Sequence, residues 1–586
     1  MQSSRETVMQ QKIFRRPCPE TLTWGQSLPP ILRRLYAARG IDSETQLDYQ
    51  LAALARPSEL RGASAAAEIL GDAIVKGQSI TVVGDFDADG ATSTAVAILG
   101  LRMLGASRLS FRVPSRFSDG YGLTPGIIER LQAENAVPDV LVTVDNGIAA
   151  NEGVAAARAA GCRVVVTDHH LPGDVLPAAD AIVNPNQPGC EFLSKNAAGV
   201  AVMFYVLTVV RQWLRERGHF RHGGLPPLVE LLDLVALGTV ADVVPLDHNN
   251  RILVSQGIRR IRDGKARPGI MALLEVAGRD YRHLSSTDLG FVVGPRLNAA
   301  GRLDDMSLGI ACLLADTETH ARALAQELDQ LNRERRGIES EMKAQAEAML
   351  KDLSLDSAEL PWGLCLHEAS WHQGVIGILA SRIKEKTHRP VIAFADADEQ
   401  GLQVKGSARS VPGLHIRDVL AAVDARKPGL LLKYGGHAMA AGLTLSKERL
   451  GEFSDAFDLA VRAVADEEML SERIVSDGPL AGPEMTLDTA RLLQKAGPWG
   501  QLFPEPLFDG AFEVLNQRIV GERHLKLMVR VPDSDQILDG IAFNVDTQRW
   551  PRPCDKLQLV YKLDVNVYRG RESVQLLVQQ VIALDD

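Results

Sequence analysis

Residues 82–93 read VVGDFDADGATS, with Asp85, Asp87 and Asp89 at alternate positions just after an apolar run. In an extended chain, residues two apart point to one side. Three carboxylates would therefore converge, with Gly84 and Gly90 easing the backbone at either end. Clustered carboxylates repel, so either their pKa values rise or a cation lies among them. Alone, such a triplet is more often an exposed acidic turn than a site. This one has company: Asp145 in TVDNG, Asp168, His169 and His170 in TDHH, and Asp242 in GTVADVVPL. Each has an ordinary reading by itself, since a strand-end aspartate often caps a helix and a histidine pair is often a surface pair. Four acidic segments arriving with two imidazoles are hard to obtain by coincidence.

Carboxylate mixed with imidazole, without thiolate, suits Mn²⁺ or Mg²⁺ better than structural zinc. Six or seven ligands are too many for one ion and suit two. Two ions about 3.5–4 Å apart clamp the attacking and leaving oxygens of a phosphoryl transfer and lower the pKa of water. The reaction class implied is metal-assisted hydrolysis of a phosphoester.

The elements that must position these groups are legible as texture. SITVVGD (79–85), DVLVTVDNG (139–147) and CRVVVTDHH (162–170) are short β-branched runs separated by Ala/Leu-rich helical stretches. That alternation predicts a parallel sheet covered on both faces, with ligands bound outside the carboxyl ends of its strands. Before it, 24–76 reads as helical. PPLVELLDLVALGTVADVVPL (226–246) reads as a buried helix running into the loop that carries Asp242, and 317–350 as a long solvated connecting helix. A second, Gly-rich α/β texture covers 362–445. KLQLVYKLDVNVY (556–568) and HLKLMVRV (524–531) have period two and predict an antiparallel barrel.

At 586 residues the chain predicts roughly three to four domains. Sixty-four basic against 74 acidic residues exclude a chain coated in positive charge. They do not exclude nucleic acid, for which a local basic track suffices. Six scattered cysteines without a CxxC pair fit a reducing cytosol. The N-terminus lacks the apolar core of a signal peptide, and no run approaches the length of a transmembrane helix. The expected location is cytoplasmic, with the first dozen residues disordered.

DFDADG, VDNG, TDHH and GTVADVVPL, in this order, resemble the successive motifs of the DHH phosphoesterase superfamily, and GPRLNAAGRL (294–303) resembles a further motif of its RecJ branch. WHQGVIGILASRI (371–383), GSARS (406–410) and YGGHAMAAGLTL (434–445) resemble the accessory DHHA1 domain. GPWGQLFPEPLF (497–508) and the β-rich tail resemble the branch's OB-fold region. The resemblance implies a helical segment over 1–75, a parallel-sheet DHH domain over 76–310, a connecting helix over 311–355, a smaller α/β DHHA1 domain over 356–460, and a linker with an OB-like β-barrel over 461–586. It implies a 5′→3′ single-stranded-DNA exonuclease of recombination and repair. Asp85, Asp87, Asp89, Asp145, His169 and Asp242 would hold two Mn²⁺ or Mg²⁺ ions, with Asp145 bridging. His170 would face the scissile phosphate and Asp168 would orient the histidine pair. A single-strand-binding protein and a RecQ-type helicase are the partners implied.

The substrate grip has physical support in the residues. Ser407 and Arg409 in GSARS suit a terminal phosphate. GGHA reads as the start of a helix, with Gly435, Gly436 and His437 at its anion-binding end. Arg296 and Arg302 flank LNAAG, and Arg112 and Arg116 read as loop residues at the same sheet edge. Lys526, Arg530, Lys562, Tyr568, Arg569 and Arg571 are candidates for a basic, stacking track on the barrel. Two other readings compete. One is a DHH phosphodiesterase for short oligonucleotides or cyclic dinucleotides, which the long β-rich tail disfavours. The other is a non-catalytic DNA-binding relative, which the complete set of acidic motifs disfavours.

Overall fold

The computed structural model describes residues 12–584, except 20–21, 117–118, 221–223, 357–359, 398–400, 472, 532–533, 548–549 and 552–553. The disorder expected of the N-terminus falls on residues outside this set, save that Lys12–Arg15 form a strand.

The first sheet is parallel and five-stranded, in the order Leu109–Arg112, Ile80–Val83, Val140–Val144, Arg163–Thr167, Ala181–Val183. The strands Ile80–Val83 and Val140–Val144 are buried along their whole length, as apolar runs broken only by Thr81 and Thr143 require. From the strand Ile80–Val83 the chain steps first to one side, at Leu109–Arg112, and later to the other, at Val140–Val144. The crevice between Ile80–Val83 and Val140–Val144 is therefore the topological switch point, where open α/β sheets bind ligands. The helices Ala88–Met103 and Gly199–Glu216 pack together in the core beside it. Ala88–Met103 is buried almost throughout, with Asp89, Thr92, Ser93 and Thr94 among its buried residues.

The stretch 226–246 is a short 3₁₀ turn, Leu228–Leu231, followed by the helix Leu232–Ala241, with Asp242 at its C-terminal cap. The connecting helix runs from Glu318 to Asp356, 39 residues, or about 58 Å. It is fastened to the first lobe through Arg296–Asp329 at 2.8 Å. To the second lobe it is tied through Arg382–Glu339 at 3.0 Å and Lys386–Glu347 at 2.8 Å. The second lobe carries a mixed sheet in the order Lys433–Gly436, Ala440–Ser446, Gln403–Arg409, Val391–Asp396, Leu364–His367.

The tail closes into a five-stranded barrel of Phe508–Val520, His524–Arg530, Ile537–Ala542, Arg571–Ala583 and Lys556–Tyr568. The period-two set Leu557, Leu559, Tyr561 and Leu563 is buried in its core, whereas Val567 projects into solvent. Closure uses one parallel pairing, between Ile537–Ala542 and Arg571–Ala583, where the sequence suggested antiparallel strands alone. Three of the cations expected to form a track on the barrel are neutralised by neighbours: Lys526 by Asp539, Arg530 by Glu513 and Lys562 by Glu505.

The N-terminal segment is less helical than its composition suggested. It contains the helices Pro30–Ala37 and Ala63–Val75 with three 3₁₀ turns between them. It also clasps the far end of the chain. Lys12–Arg15 pairs in parallel with Arg473–Ser476, the buried Arg39 grips Asp477 through two hydrogen bonds of 2.9 and 2.8 Å, and the Tyr36 hydroxyl donates to the Ala496 carbonyl.

Candidate metal centre and phosphate grip

All three strand ends deliver carboxylates to the switch point. The aspartate triplet converges by a route other than the extended chain its spacing suggested. Asp85 follows the strand, and its Oδ1 accepts from the Phe86 amide. Asp87 caps the helix Ala88–Met103, accepting from the Gly90 amide at 3.0 Å. Asp89 lies in that helix's first turn, where its two oxygens accept from the amides of Gly199 (2.6 Å) and Val200 (3.0 Å). These amides open the helix Gly199–Glu216, whose N-terminal dipole favours negative charge. The strand-to-helix transition thus splits the triplet between neighbouring clusters. Ligand atoms of Asp85, Asp87 and Asp145 lie within 4.8 Å of one another, as do those of Asp89, His169 and Asp242, and those of Asp145, His169 and His170.

Asp145 stands at φ +60°, a left-handed conformation that Asp tolerates better than most residues. Its neighbour Asn146 holds this turn open. The Asn146 amide donates to the carbonyls of Val83 and Val144 and its oxygen accepts from the Leu123 amide. Three segments around the crevice are thereby tied by one side chain. Asn298 ties a fourth, accepting from the Ala88 amide at 2.8 Å.

The cluster's electrostatics call for cations. Burial, then repulsion from Asp87, pushes the Asp85 carboxyl up to about 8, and the same two causes push Asp89 up to about 7. Burial and the surrounding aspartates push Asp145 and Asp242 well above the usual carboxylate range. Buried oxygens of both, Asp145 Oδ1 and Asp242 Oδ2, have no hydrogen-bond partner among the described residues. An oxygen that is buried, anionic in type and unsatisfied is costly, and a divalent cation removes that cost. The oxygen-rich donor set fits Mn²⁺ or Mg²⁺.

The histidines are differentiated. His169 Nε2 points at Asp145 Oδ1 (3.1 Å) and Asp242 Oδ2 (3.5 Å). Burial, and then the neighbouring His170, push it down to about 3, so it is a neutral imidazole available as a ligand. His170 Nδ1 donates to Asp168 Oδ1 at 2.7 Å. Burial opposes its charge, but the Asp168 bond and charge outweigh burial and raise it to about 9. Asp168 is saturated, accepting also from the amides of His169, His170 and Ile148. Although burial would raise its carboxyl, its bonds and the His170 charge hold it below the usual range. With both oxygens engaged by donors and no place in the ligand clusters, it acts as a positioning group.

Three arginines gather at the Asp85–Asp87 side. Arg116 lies 3.9 Å over the Phe86 ring and donates to the Gly301 carbonyl. Arg302 donates to the Gly374 carbonyl of the second lobe at 2.9 Å. Arg409 ends the strand Gln403–Arg409, with Nη1 3.0 Å from Ser407 Oγ. Burial, then the charges of Arg116 and Arg409, push Arg302 down to about 9. Burial likewise lowers Arg116 and Arg409. Among the described residues none of the three forms an ion pair. Mutually repelling guanidinium groups at a cleft, none held by an acidic partner at contact distance, suit a phosphate. His437 reaches the cleft as well, its ring 5.8 Å from that of His170 and stacked on it.

Two of the expected arginines are elsewhere. Arg112 is the last residue of a strand rather than a loop residue, and it pairs with Glu134 at 2.7 Å. Arg296 is buried against Asp329 and also donates to the Val292 carbonyl, so it fastens a helix to the connecting helix. The GGHA segment is likewise not a helix start. Gly435 and Gly436 belong to the strand Lys433–Gly436 and pair with Gly442 and Ala441, while the His437 amide donates to the Ala440 carbonyl in the hairpin turn. Glycines permit either conformation, and the partner strand decides. Tyr121 went unnoticed in the sequence. Its hydroxyl lies 3.1 Å from His170 Nε2, and a lone aromatic in the Gly-rich SDGYG loop after a strand end was the available signal.

Comparison with known proteins agrees with this architecture. The DHH family N-terminal domain matches residues 79–239, the DHHA1 domain 361–463 and the RecJ OB domain 476–580. Over 575 residues the chain is 53% identical to the single-stranded-DNA-specific exonuclease RecJ of Salmonella typhimurium, covering 98% of this chain and 99% of that protein. RecJ of Thermus thermophilus in complex with Mn²⁺ superposes with a TM-score of 0.78 at 30% identity, over 96% of this chain and 77% of that one. Its Mg²⁺ complex gives 0.72 at 28% identity, over 96% and 76%. With the three domains matched in order and the likeness running the full length of the chain, this protein belongs to the RecJ family of single-stranded-DNA-specific exonucleases.

Proposed function

We propose that the chain hydrolyses single-stranded DNA from its 5′ end in recombination and repair, using two divalent cations. One observation carries the reading: buried, unpartnered oxygens of Asp145 and Asp242 lie in one crevice with three arginines that lack acidic partners. The likeness to relatives named for this activity runs through the barrel, which favours a strand over a dinucleotide as substrate.

Asp85, Asp87, Asp89, Asp145, His169 and Asp242 would hold Mn²⁺ or Mg²⁺. Cations there supply a nucleophile at neutral pH and neutralise charge on the transferred phosphate. Asp168 keeps the proton on His170 Nδ1, so the Nε2–H, 3.1 Å from the Tyr121 oxygen, is free to turn to the scissile phosphate. Charged at neutral pH, His170 stabilises the oxyanion as the bond breaks. Arg116, Arg302, Arg409 and Ser407 take the terminal phosphate, and the backbone of Gly435 and Gly436 with His437 lines the opposite wall. The His170 and His437 rings, 5.8 Å apart across the lobes, narrow the passage beyond what a duplex could enter. The functional division of the chain is 1–75, 76–310, 311–355, 356–460 and 461–586. A single-strand-binding protein and a RecQ-type helicase are the proposed partners, and the cytoplasm the proposed location. Among the described residues no helix is long and apolar enough to cross a membrane.

End-labelled single strand, duplex and dinucleotide, each incubated with Mn²⁺ or Mg²⁺, test the reading. Mononucleotides released from the 5′ end of the single strand are expected; cleavage of the dinucleotide alone would overturn it. Asp145→Ala should abolish cleavage while strand binding persists, and near-normal activity would remove Asp145 from the ion-holding set.

A further inference from the structure

On segments packed around the chain that carries Asp242, three large apolar side chains stand in solvent: Val243 (62% exposed), Phe291 (76%) and Leu502 (74%). Three separate segments supply them, and these segments are fastened together. Gly290 packs on the chain before Asp242 so closely that an added Cβ would lie 3.2 Å from Val240 Cγ1, and at Gly294 one would lie 3.2 Å from the Ala241 Cβ. The Ser286 hydroxyl donates to the Trp499 carbonyl at 2.5 Å, and the Leu246 amide to the Gln501 carbonyl at 2.8 Å. The backbone turns these side chains outward against its own preferences. Val243 and Leu502 hold φ of +60° and +54°, a region that bulky and β-branched residues avoid. Phe291 lies in a π-helical turn, Leu289–Val293, a feature that concentrates at functional sites.

We propose that Phe291, flanked by Val243 and Leu502, is the platform on which unpaired bases stack as the substrate strand runs from the carboxylate cluster to the barrel. The occupant follows from what adjoins the patch. Arg116 and Arg302 gather by Asp85 and Asp87 and claim the terminal phosphate. Asp242 belongs to the other cluster, with Asp89 and His169, so the rest of the strand leaves over Val243, the next residue. Leu502 stands six positions before the first barrel strand at Phe508, which continues the path. Unpaired bases offer π-faces to such a surface without regard to sequence, and a duplex has none free. The inference rests on the exonuclease reading above.

The test uses the full chain. An oligonucleotide with a 5′ phosphate carries 2-aminopurine at successive positions after the first nucleotide and is titrated onto Asp145→Ala protein, which binds without cutting. Quenching at one or more positions is expected. In the double variant Asp145→Ala/Phe291→Ala the quenching is lost and the dissociation constant rises about fivefold or more; Phe291→Trp in place of Phe291→Ala restores both. In protein with Asp145 intact, Phe291→Ala raises KM for the strand by a similar factor and changes kcat less. Phe291 is exposed, so the substitution leaves the core untouched. Unchanged quenching and KM in Phe291→Ala, or failure of Phe291→Trp to restore them, would overturn the platform. The exonuclease reading would survive that result, because it fails only if the unsubstituted protein does not degrade the strand.

Discussion

Gly199 opens a helix directly against Asp145, and replacing it with alanine tests where that carboxylate must be. The added Cβ would lie 2.6 Å from Asp145 Cβ, 2.8 Å from its Oδ1 and 2.9 Å from its Cα. Carbon atoms in contact prefer about 3.5–4.0 Å, so Asp145 or the helix must yield by about 1 Å. The helix start is itself bonded to Asp89 through the Gly199 and Val200 amides, so either movement disturbs a carboxylate of the cluster. Alanine gains up to about 1 kcal/mol in helix propensity, and overpacking costs about 1–3 kcal/mol. The protein stays folded, with a net loss of roughly 0–3 kcal/mol. A 1 Å misplacement at a catalytic centre costs about 100-fold in rate, and disturbed ligand support costs about 10- to 100-fold in metal affinity or activity. Titration calorimetry with Mn²⁺ and the rate of nucleotide release measure the two effects. Gly126→Ala is the control, since its added Cβ meets nothing nearer than Thr124 Oγ1 at 3.8 Å. Wild-type Mn²⁺ affinity together with a wild-type rate in Gly199→Ala would refute the placement of Asp145 among the ion-holding groups.

Ion binding should depend on pH. Burial and repulsion from Asp87 raise Asp85 to about 8 and Asp89 to about 7 in the ion-free protein, so a cation must displace their protons; apparent affinity rises with pH through that range. Calorimetry in buffers of different ionisation enthalpy counts the released protons, and an affinity that ignores pH there would contradict the assignment. Arg409→Ala should weaken the preference for a 5′-phosphorylated end about tenfold or more, read as the ratio of kcat/KM for strands with and without the phosphate; an unchanged ratio removes Arg409 from the pocket. Arg296→Met, by contrast, should lower stability by up to about 3 kcal/mol, softened because Asp329 keeps Arg333, and leave that ratio alone. A shifted ratio would show that Arg296 touches substrate after all.

The carboxylate cluster was legible because strand ends announce themselves: a β-branched run that stops at an aspartate places that aspartate at the edge where ligands bind. How the triplet converges was not legible. DFDADG has the period of a strand, yet Asp87 becomes a helix cap, because the amide of Gly90 is available to its side chain. Arginines were read by motif, and the motif does not name their partners. Arg112 and Arg296 differ from Arg116 and Arg302 only through Glu134 and Asp329, which arrive from other elements. The glycines of GGHA were ambiguous for a related reason, since the pairing with Gly442 and Ala441 that makes them a strand is not encoded locally. The strand Lys12–Arg15 escaped notice altogether. Its partner Arg473–Ser476 is remote in sequence, and a four-residue run with a cation at each end carries no strand signal alone.

That pairing has a consequence for how the protein is made. The strand Lys12–Arg15 leaves the ribosome long before its partner, which follows more than 450 residues later. At about 5–20 residues per second the delay is roughly 20–90 s, and the segment around Arg39 and Tyr36 remains without Asp477 and Ala496 throughout. The first lobe can therefore assemble while this segment is unpaired, and the linker that carries Arg473–Ser476 and Asp477 closes on it afterwards. A chain released early, before the linker to the barrel, would hold its carboxylate cluster but lack the closing bolt.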